Sequence, residues 1–273
     1  MNNRNITYTS KIRRVIVLLF PTSQILAESL LKISFITQKI GNFIKFEKFW
    51  KTNISRNKEV TIVERLHKNK RAKKDIWDIA IKKVLGLGKT GVIYEFGTNN
   101  GGSLLYFRDN LPNEIKLHGF DCFEGLPEGW DGLGKGAMKG DGYPYHLWRD
   151  HPEQRKEVES HLKLTGEILA PPTINTFIHK GLFAHTFYKL LRNGIESNIR
   201  LIHFDADLYS STRGLLDSIC GQIKYKYYIL FDEFNSVNHE FLSWIEFTNI
   251  YNVEKWKVIA ASRDGAQVLL EIN

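Results

Sequence analysis

The stretch Val92–Ser103, VIYEFGTNNGGS, constrains this chain more than any other. Val92–Phe96 has the apolar and aromatic character of a buried strand. Gly97 turns the chain, a polar loop follows, and Gly101-Gly102-Ser103 opens a helix. A strand that runs directly into a helix N-terminus leaves backbone N–H groups unpaired and pointing outward, where they hold a polar or anionic ligand. Glu95 stands where the strand runs out and places a carboxylate beside that loop. The turn therefore predicts an α/β chain with a nucleotide-type ligand in the loop. A dinucleotide fingerprint counted from Gly97 needs glycine at position 99, and the residue there is Asn99.

Downstream, strands alternate with helices. Lys116–Phe120 reads as a strand ending in Asp121, Ile174–Ile178 as a third, Arg200–Asp205 as a fourth, and Tyr227–Phe231 as a fifth ending in Asp232-Glu233. Helices are predicted over Ser103–Asn110, His151–Leu164, Thr186–Arg192, from a Ser210-Ser211 cap to about Ile223, and over Phe241–Tyr251. Trp256–Ala261 and Gln267–Ile272 close the chain around the tight-turn pair Asp264-Gly265. Such alternation implies a mostly parallel sheet, and the final hairpin implies one antiparallel strand at its edge. Gly129–Tyr145 is rich in glycine and without periodicity, and a loop of that length is commonly a lid. Trp130, Tyr143, Tyr145 and Trp148 either stack on a ligand there or anchor the loop; both readings stay open.

The charge is unevenly shared. Residues 1–90 carry 20 Lys+Arg against 6 Asp+Glu, a surplus of 14, whereas residues 91–273 carry 18 against 24. Nucleic acid lying across the cofactor loop is therefore disfavoured. The first 90 residues read as a basic, helical region of separate character. Arg13-Arg14 and the apolar run Val15–Phe20 faintly resemble a signal peptide, but Pro21 ends that run far short of a membrane span. Leu26, Leu30, Ile33, Ile40 and Ile44 recur at helical spacing with Lys32, Lys39 and Lys45 elsewhere on the wheel. That helix packs on the catalytic part or on a dimer partner, or it lies on the inner face of an anionic membrane. The run His67–Lys74 is read as the solvated face of a helix, with nucleic-acid contact as the sharper alternative. Cys122 and Cys220 stand alone, without zinc or disulfide spacing, which suits a reducing, cytoplasmic compartment.

In a parallel α/β sheet, ligands bind beyond the carboxyl ends of the strands. Four such ends are acidic here: Glu95, then Asp121, then Asp205 and Asp207, then Asp232 and Glu233. Asp121 follows Gly97 by 24 residues, close to the spacing of an acid that accepts from ribose hydroxyls. The acids of the later strands would repel one another unless protons or a metal neutralised them. All-oxygen ligands favour Mg²⁺ or another hard divalent cation. Asp207 or Asp232 could instead cap a neighbouring helix. His203, inside a strand, is read as a core histidine.

YEFGTNNGGSL, HGFDCFEGLPEGWDGLGKGA, HKGLFAHTF, IHFDADLYSST and ILFDEF, in that order, resemble the macrocin O-methyltransferase (TylF-like) family. These are class I S-adenosylmethionine (SAM)-dependent methyltransferases that act mainly on sugar hydroxyls. The resemblance runs from about Val92 to the C-terminus. It implies a Rossmann-like sheet of seven strands, mostly parallel with an antiparallel last strand and helices on both faces. With the basic helical region of residues 1–90, which the resemblance does not cover, as an N-terminal extension, the catalytic domain spans 91–273 with a lid-like insert at 129–165. The resemblance further implies that Glu95, Gly97, Gly101, Ser103 and Asp121 surround SAM, with Phe123 beside the adenosine. Asp205 and the pair Asp232-Glu233 would hold a divalent metal, where the family commonly has Asp-Asp for that pair. Asp207 is then the candidate base for a glycoside or glycan hydroxyl, with exchange of roles between Asp205 and Asp207 left open. Two other readings compete: a non-catalytic membrane-surface protein on the same fold, and an RNA methyltransferase using His67–Lys74. A homo-oligomer also stays open.

Overall fold

The computed structural model describes residues 24–64, 71–130, 132–194 and 198–273. Arg13-Arg14, the Val15–Phe20 run and residues 67–70 of the basic run lie outside them. The chain divides into two compact units, Met1–Phe49 and Trp50–Asn273. The described residues of the first belong to helix α1 (Gln24–Trp50). On it Leu30 is half-buried, while Ile33, Ile40 and Ile44 are exposed. Among the described residues no helix is long and apolar enough to cross a membrane.

The second unit is built on one sheet. Its strands are β1 (Thr61–Val63), β2 (Gly91–Phe96), β3 (Ile115–Asp121), β4 (Thr176–Lys180), β5 (Ile199–Phe204), β6 (Tyr227–Phe231), β7 (Trp256–Ser262) and β8 (Val268–Ile272). The helices are α2 (Arg71–Gly86), α3 (Gly102–Asn110), α4 (Arg155–Thr165), α5 (Phe183–Arg192), α6 (Tyr209–Ile219) and α7 (Glu240–Tyr251). The spatial order is β1-β7-β8-β6-β5-β2-β3-β4, and only β8 runs antiparallel to its neighbours.

This is the expected mostly parallel sheet with a reversed last strand, and two details differ. First, β8 is not at the edge: it is threaded between β6 and β7, so all five of its residues are buried. Second, an eighth strand, β1, pairs in parallel with β7. It comes from the region read as wholly helical, because Thr61–Val63 is too short to show a period of two. With it comes α2, whose Ile76, Ala80 and Val84 are wholly buried in the core against Ile93, Leu201 and Leu230. Thr61–Val63 and Arg71–Gly86 therefore belong to the same compact unit as the sheet rather than to a separate N-terminal region.

The inner strands β2 and β6 are buried at every position, as continuous apolar runs covered on both faces must be. Alternate residues point to opposite faces. One face carries Ile93, Leu201 and Leu230 beneath α2 and α3. The other carries Tyr94, Phe96, Phe120, Phe204 and Phe231, which meet Phe183 and Phe187 of α5 and Trp244 of α7. The helix predicted from Ser210-Ser211 starts instead at Tyr209, with Leu208 in the cap position and no side-chain cap. The Ser210 hydroxyl bonds Glu128 instead.

Candidate functional site

A cavity of about 1160 Å³ opens beyond the carboxyl ends of β2, β3, β5 and β6. It is larger than the ~300–1,000 Å³ that holds one small molecule, so it has room for two partners. Gly97–Asn100, Gly102 and Ser103 line it from the first loop, Asp121 and Cys122 from the second, Asp205–Asp207 from the third, and Glu233 from the fourth. Asn99 (φ 45°), Met138 (φ 63°) and Asp207 (φ 58°) all face this space in left-handed backbone conformations. Strain of this kind gathers where surrounding structure holds a site in place.

The two halves of the cavity touch at Gly97. A Cβ there would stand 1.8 Å from the backbone oxygen of Asp205, and its φ is +97°. No residue but glycine lets the turn after β2 and the turn after β5 lie against each other. Beyond it, Gly101 (φ 82°) caps α3, and Gly102 and Ser103 bring the helix's first turn to the cavity wall. The nine-residue helix that starts there presents its first turn to the cavity, with the Gly102 N–H held by Asn100 Oδ1 at 3.3 Å.

Of the six residues assigned to the cofactor, Gly97, Ser103 and Asp121 line the cavity; Gly101, Glu95 and Phe123 do not. Gly101 faces Pro144 and Leu147, where a Cβ would meet them at 3.0 and 3.2 Å. It lets the 3₁₀ turn Tyr145–Trp148 lie on α3. The Glu95 carboxylate is wholly buried and shares a 3.0 Å hydrogen bond with His203 Nδ1 on the neighbouring strand. The pleat explains this: Glu95 sits beside His203 in register, on the face that α2 and α3 cover. Phe123 is buried, with its N–H bonded to Asp121 Oδ1 at 2.7 Å. Asp121 holds the second loop in this way and the first through Asn99 N–H to Oδ2 at 2.8 Å. Burial pushes its carboxyl up, against these backbone hydrogen bonds.

The four aromatic residues of the glycine-rich segment and its far end divide between the two readings. Tyr143 and Trp148 are buried anchors, the former bonded to Glu159 at 2.9 Å. Tyr145 is half-buried, with the Arg155 guanidinium 5.8 Å from its ring centre. Trp130 lines the cavity, and its buried indole N–H has no hydrogen-bond partner.

Asp205, Asp207 and Glu233 line the cavity, while Asp232 and Glu240 are wholly buried behind them. Burial and then the Asp232 charge raise Asp207 to about 6. The same causes hold Asp205 well above its usual range. Burial raises Glu240 likewise; its Oε2 accepts from the Glu233 N–H at 3.0 Å and its Oε1 has no partner. Asp232 is held low despite burial, because Lys73 Nζ donates to Oδ2, His203 is near and Gln267 Nε2 donates to Oδ1.

Among the described residues, no three His, Cys, Asp or Glu side chains stand close enough together to hold a metal ion. The ready-made set expected from Asp205, Asp232 and Glu233 is thus not in place, since Asp232 is taken by Lys73 and Gln267. The donors still suit a hard cation in kind. They are all oxygen, several acids face one ammonium, and the Glu240 oxygen is left unsatisfied. Sequence reasoning missed Lys73, Glu240 and Gln267. Lys73 was visible only as part of a basic run, and Asp232 lies 159 residues away from it.

No family model matches the chain, and no curated protein matches it either. Among solved structures, CalS11, a calicheamicin methyltransferase, aligns with a TM-score of 0.53 and 17% identity, over 85% of this chain and 92% of that one. The O-methyltransferase NovP aligns with a TM-score of 0.48 and 17% identity, over 73% and 80%. The cavity at the strands' carboxyl ends, the single reversed strand and the glycine turn after β2 thus sit on a fold that a solved methyltransferase shares.

Proposed function

We propose that this chain is a class I SAM-dependent O-methyltransferase acting on a hydroxyl of a sugar or sugar-containing small molecule. The observation that carries the reading is the contact at Gly97, which joins the cofactor turn to the Asp205–Asp207 turn inside one cavity. The resemblance to the macrocin O-methyltransferase family supports the acceptor class, and the fold shared with CalS11, a calicheamicin methyltransferase, supports the reaction type.

When bound, SAM supplies an electrophilic methyl group on a sulfonium. Gly97–Asn100 and the first turn of α3 would cradle it, and Asp121 would accept from its ribose hydroxyls. The remaining work is positioning, since an in-line displacement needs its two reacting atoms aligned. Asp207 faces the cavity and takes the acceptor's proton as the oxygen attacks. Trp130 offers its unpaired indole N–H to an acceptor oxygen and its ring to a sugar face. Where the resemblance would place a divalent cation among Asp205, Asp232 and Glu233, the Lys73 ammonium already pairs with Asp232, so the proton transfer rests on Asp207.

Calorimetric titration with SAM, with and without Mg²⁺, tests this on wild type and Asp205→Ala. SAM should bind to both proteins, and turnover should fall at least 100-fold in the variant. No SAM binding in any condition would sink the enzyme reading. Turnover equal in both proteins would remove the role given to the acids.

A further inference from the structure

Helix α1 carries two apolar faces where an ordinary surface helix has one. Phe46 and Phe49, both buried, belong to the first. Ile33, Ile36, Ile40, Phe43 and Ile44 make the second. They recur at intervals of three and four, which lines them up along one side of a helix. All five are 53–62% exposed, so the described residues leave this side largely open. Single exposed apolar residues are ordinary, but a contiguous stripe marks an interaction site.

The residues along the edges point to the partner. On a helix surface, residues four apart are neighbours. Lys32 stands beside Ile36, Lys39 beside Phe43, and Lys48 beside Ile44, so lysines border the stripe on both sides. The only acids of α1, Glu28 and Glu47, lie beyond its two ends. Residues 1–23 add three arginines and one lysine, with no acid. An apolar band between lysines suits the boundary of a bilayer, where the apolar side chains enter the acyl region. The lysine stems lie along that band while their ammonium groups reach lipid phosphates. A second copy of the helix would bring the same lysine-edged face, setting like charge against like.

We propose that the Ile33–Ile44 stripe of α1 docks the chain on membrane surfaces rich in anionic phospholipid. The contact is with the surface, because no described helix is long and apolar enough to cross a membrane. Docking is separate from methyl transfer and uses none of the cavity's residues.

The test is flotation of the full chain with vesicles of phosphatidylcholine, alone or mixed in equal parts with phosphatidylglycerol. Wild type should float with the mixed vesicles at least fivefold more than with the neutral ones, and less as salt is raised. Ile36→Glu combined with Phe43→Glu should cut that flotation at least tenfold. Phe35 is 58% exposed but lies off the stripe, so Phe35→Glu should stay within twofold of wild type. Far-UV circular dichroism checks that each variant folds. In case the Ile36 and Phe43 variant does not, Lys32→Glu combined with Lys48→Glu alters only the polar edges and should abolish the preference for phosphatidylglycerol. Wild type that stays off both vesicles would overturn the proposal. So would flotation that survives the Ile36 and Phe43 changes, or that falls equally with Phe35→Glu. A dimer in sedimentation that the Ile36 and Phe43 variant splits, without vesicle binding, would give the stripe to a second copy and overturn it as well.

Discussion

The two faces of the same central strands are made of different matter. Below α5 and α7, the rings of Tyr94, Phe96, Phe120, Phe187, Phe204 and Phe231 stack or meet edge-on at centroid distances of 4.9–6.1 Å. On the opposite face, one residue along each strand, aliphatic side chains give way to Glu95 and His203, then to Asp205 at the cavity and the buried Asp232, to which Lys73 donates. The first face derives its hold from area and ring geometry, and has little to gain or lose from protons. The second runs a line of polar groups from mid-strand to the mouth of the site, each dependent on a partner. A period of two therefore separates a rigid platform from a chemically responsive column.

Three experiments press on that contrast, beginning with the largest effect. Phe96→Ala removes a wholly buried ring that meets Phe120, Phe183, Phe187 and Phe204. It should cost about 3–5 kcal/mol in urea unfolding. A loss under ~1 kcal/mol would mean that the aromatic face is not the platform.

The buried Glu95–His203 pair comes next. Either Glu95→Leu or His203→Leu alone strands a polar partner and should cost about 1–3 kcal/mol. The double variant should cost less than the two singles together, because nothing is then left unpaired. Simple additivity in that cycle would show the polar column to be inert.

The smallest effect concerns the outer margin of the aromatic face, where His118 contacts His179 at 2.9 Å and stacks on Phe177. Burial, then His179 and Lys116, lower His118 from 6.5 to about 3. The folded chain thus binds fewer protons there than the unfolded one. This part of the stability is full above pH 6.5 and is lost as pH falls toward 3. Between pH 6.5 and 5 wild type should lose no more than about 2 kcal/mol that His118→Phe retains. Parallel pH profiles of urea unfolding for the two proteins would remove His118 from this account.

Much of the sheet was legible because its strands are apolar runs of ordinary length that end in acids. Asp121, Asp205, Asp207 and Glu233 stand at the cavity for that reason. What escaped was set by contacts between distant residues. Lys73 and Asp232, or Gln267 and Asp232, meet only once α2 and the start of β8 are laid over the sheet. Nor does any local pattern tell a hairpin at a sheet's edge from one whose second strand slips inside, as β8 does. Glu95 is a different case. Its strand was correctly placed, but alternation puts its side chain on the covered face, two residues short of the opening.

The contact at Gly97 has a consequence for how such a site can be altered. Backbone lies against backbone there, so the gap between the two halves of the cavity behaves like a fixed ruler with no side chain to shorten or lengthen it. Ligands of a different size cannot be accommodated by adjusting that floor. Changes of size preference must be written elsewhere in the wall, at positions such as Trp130 and Met138, which line the cavity from a segment outside the strands.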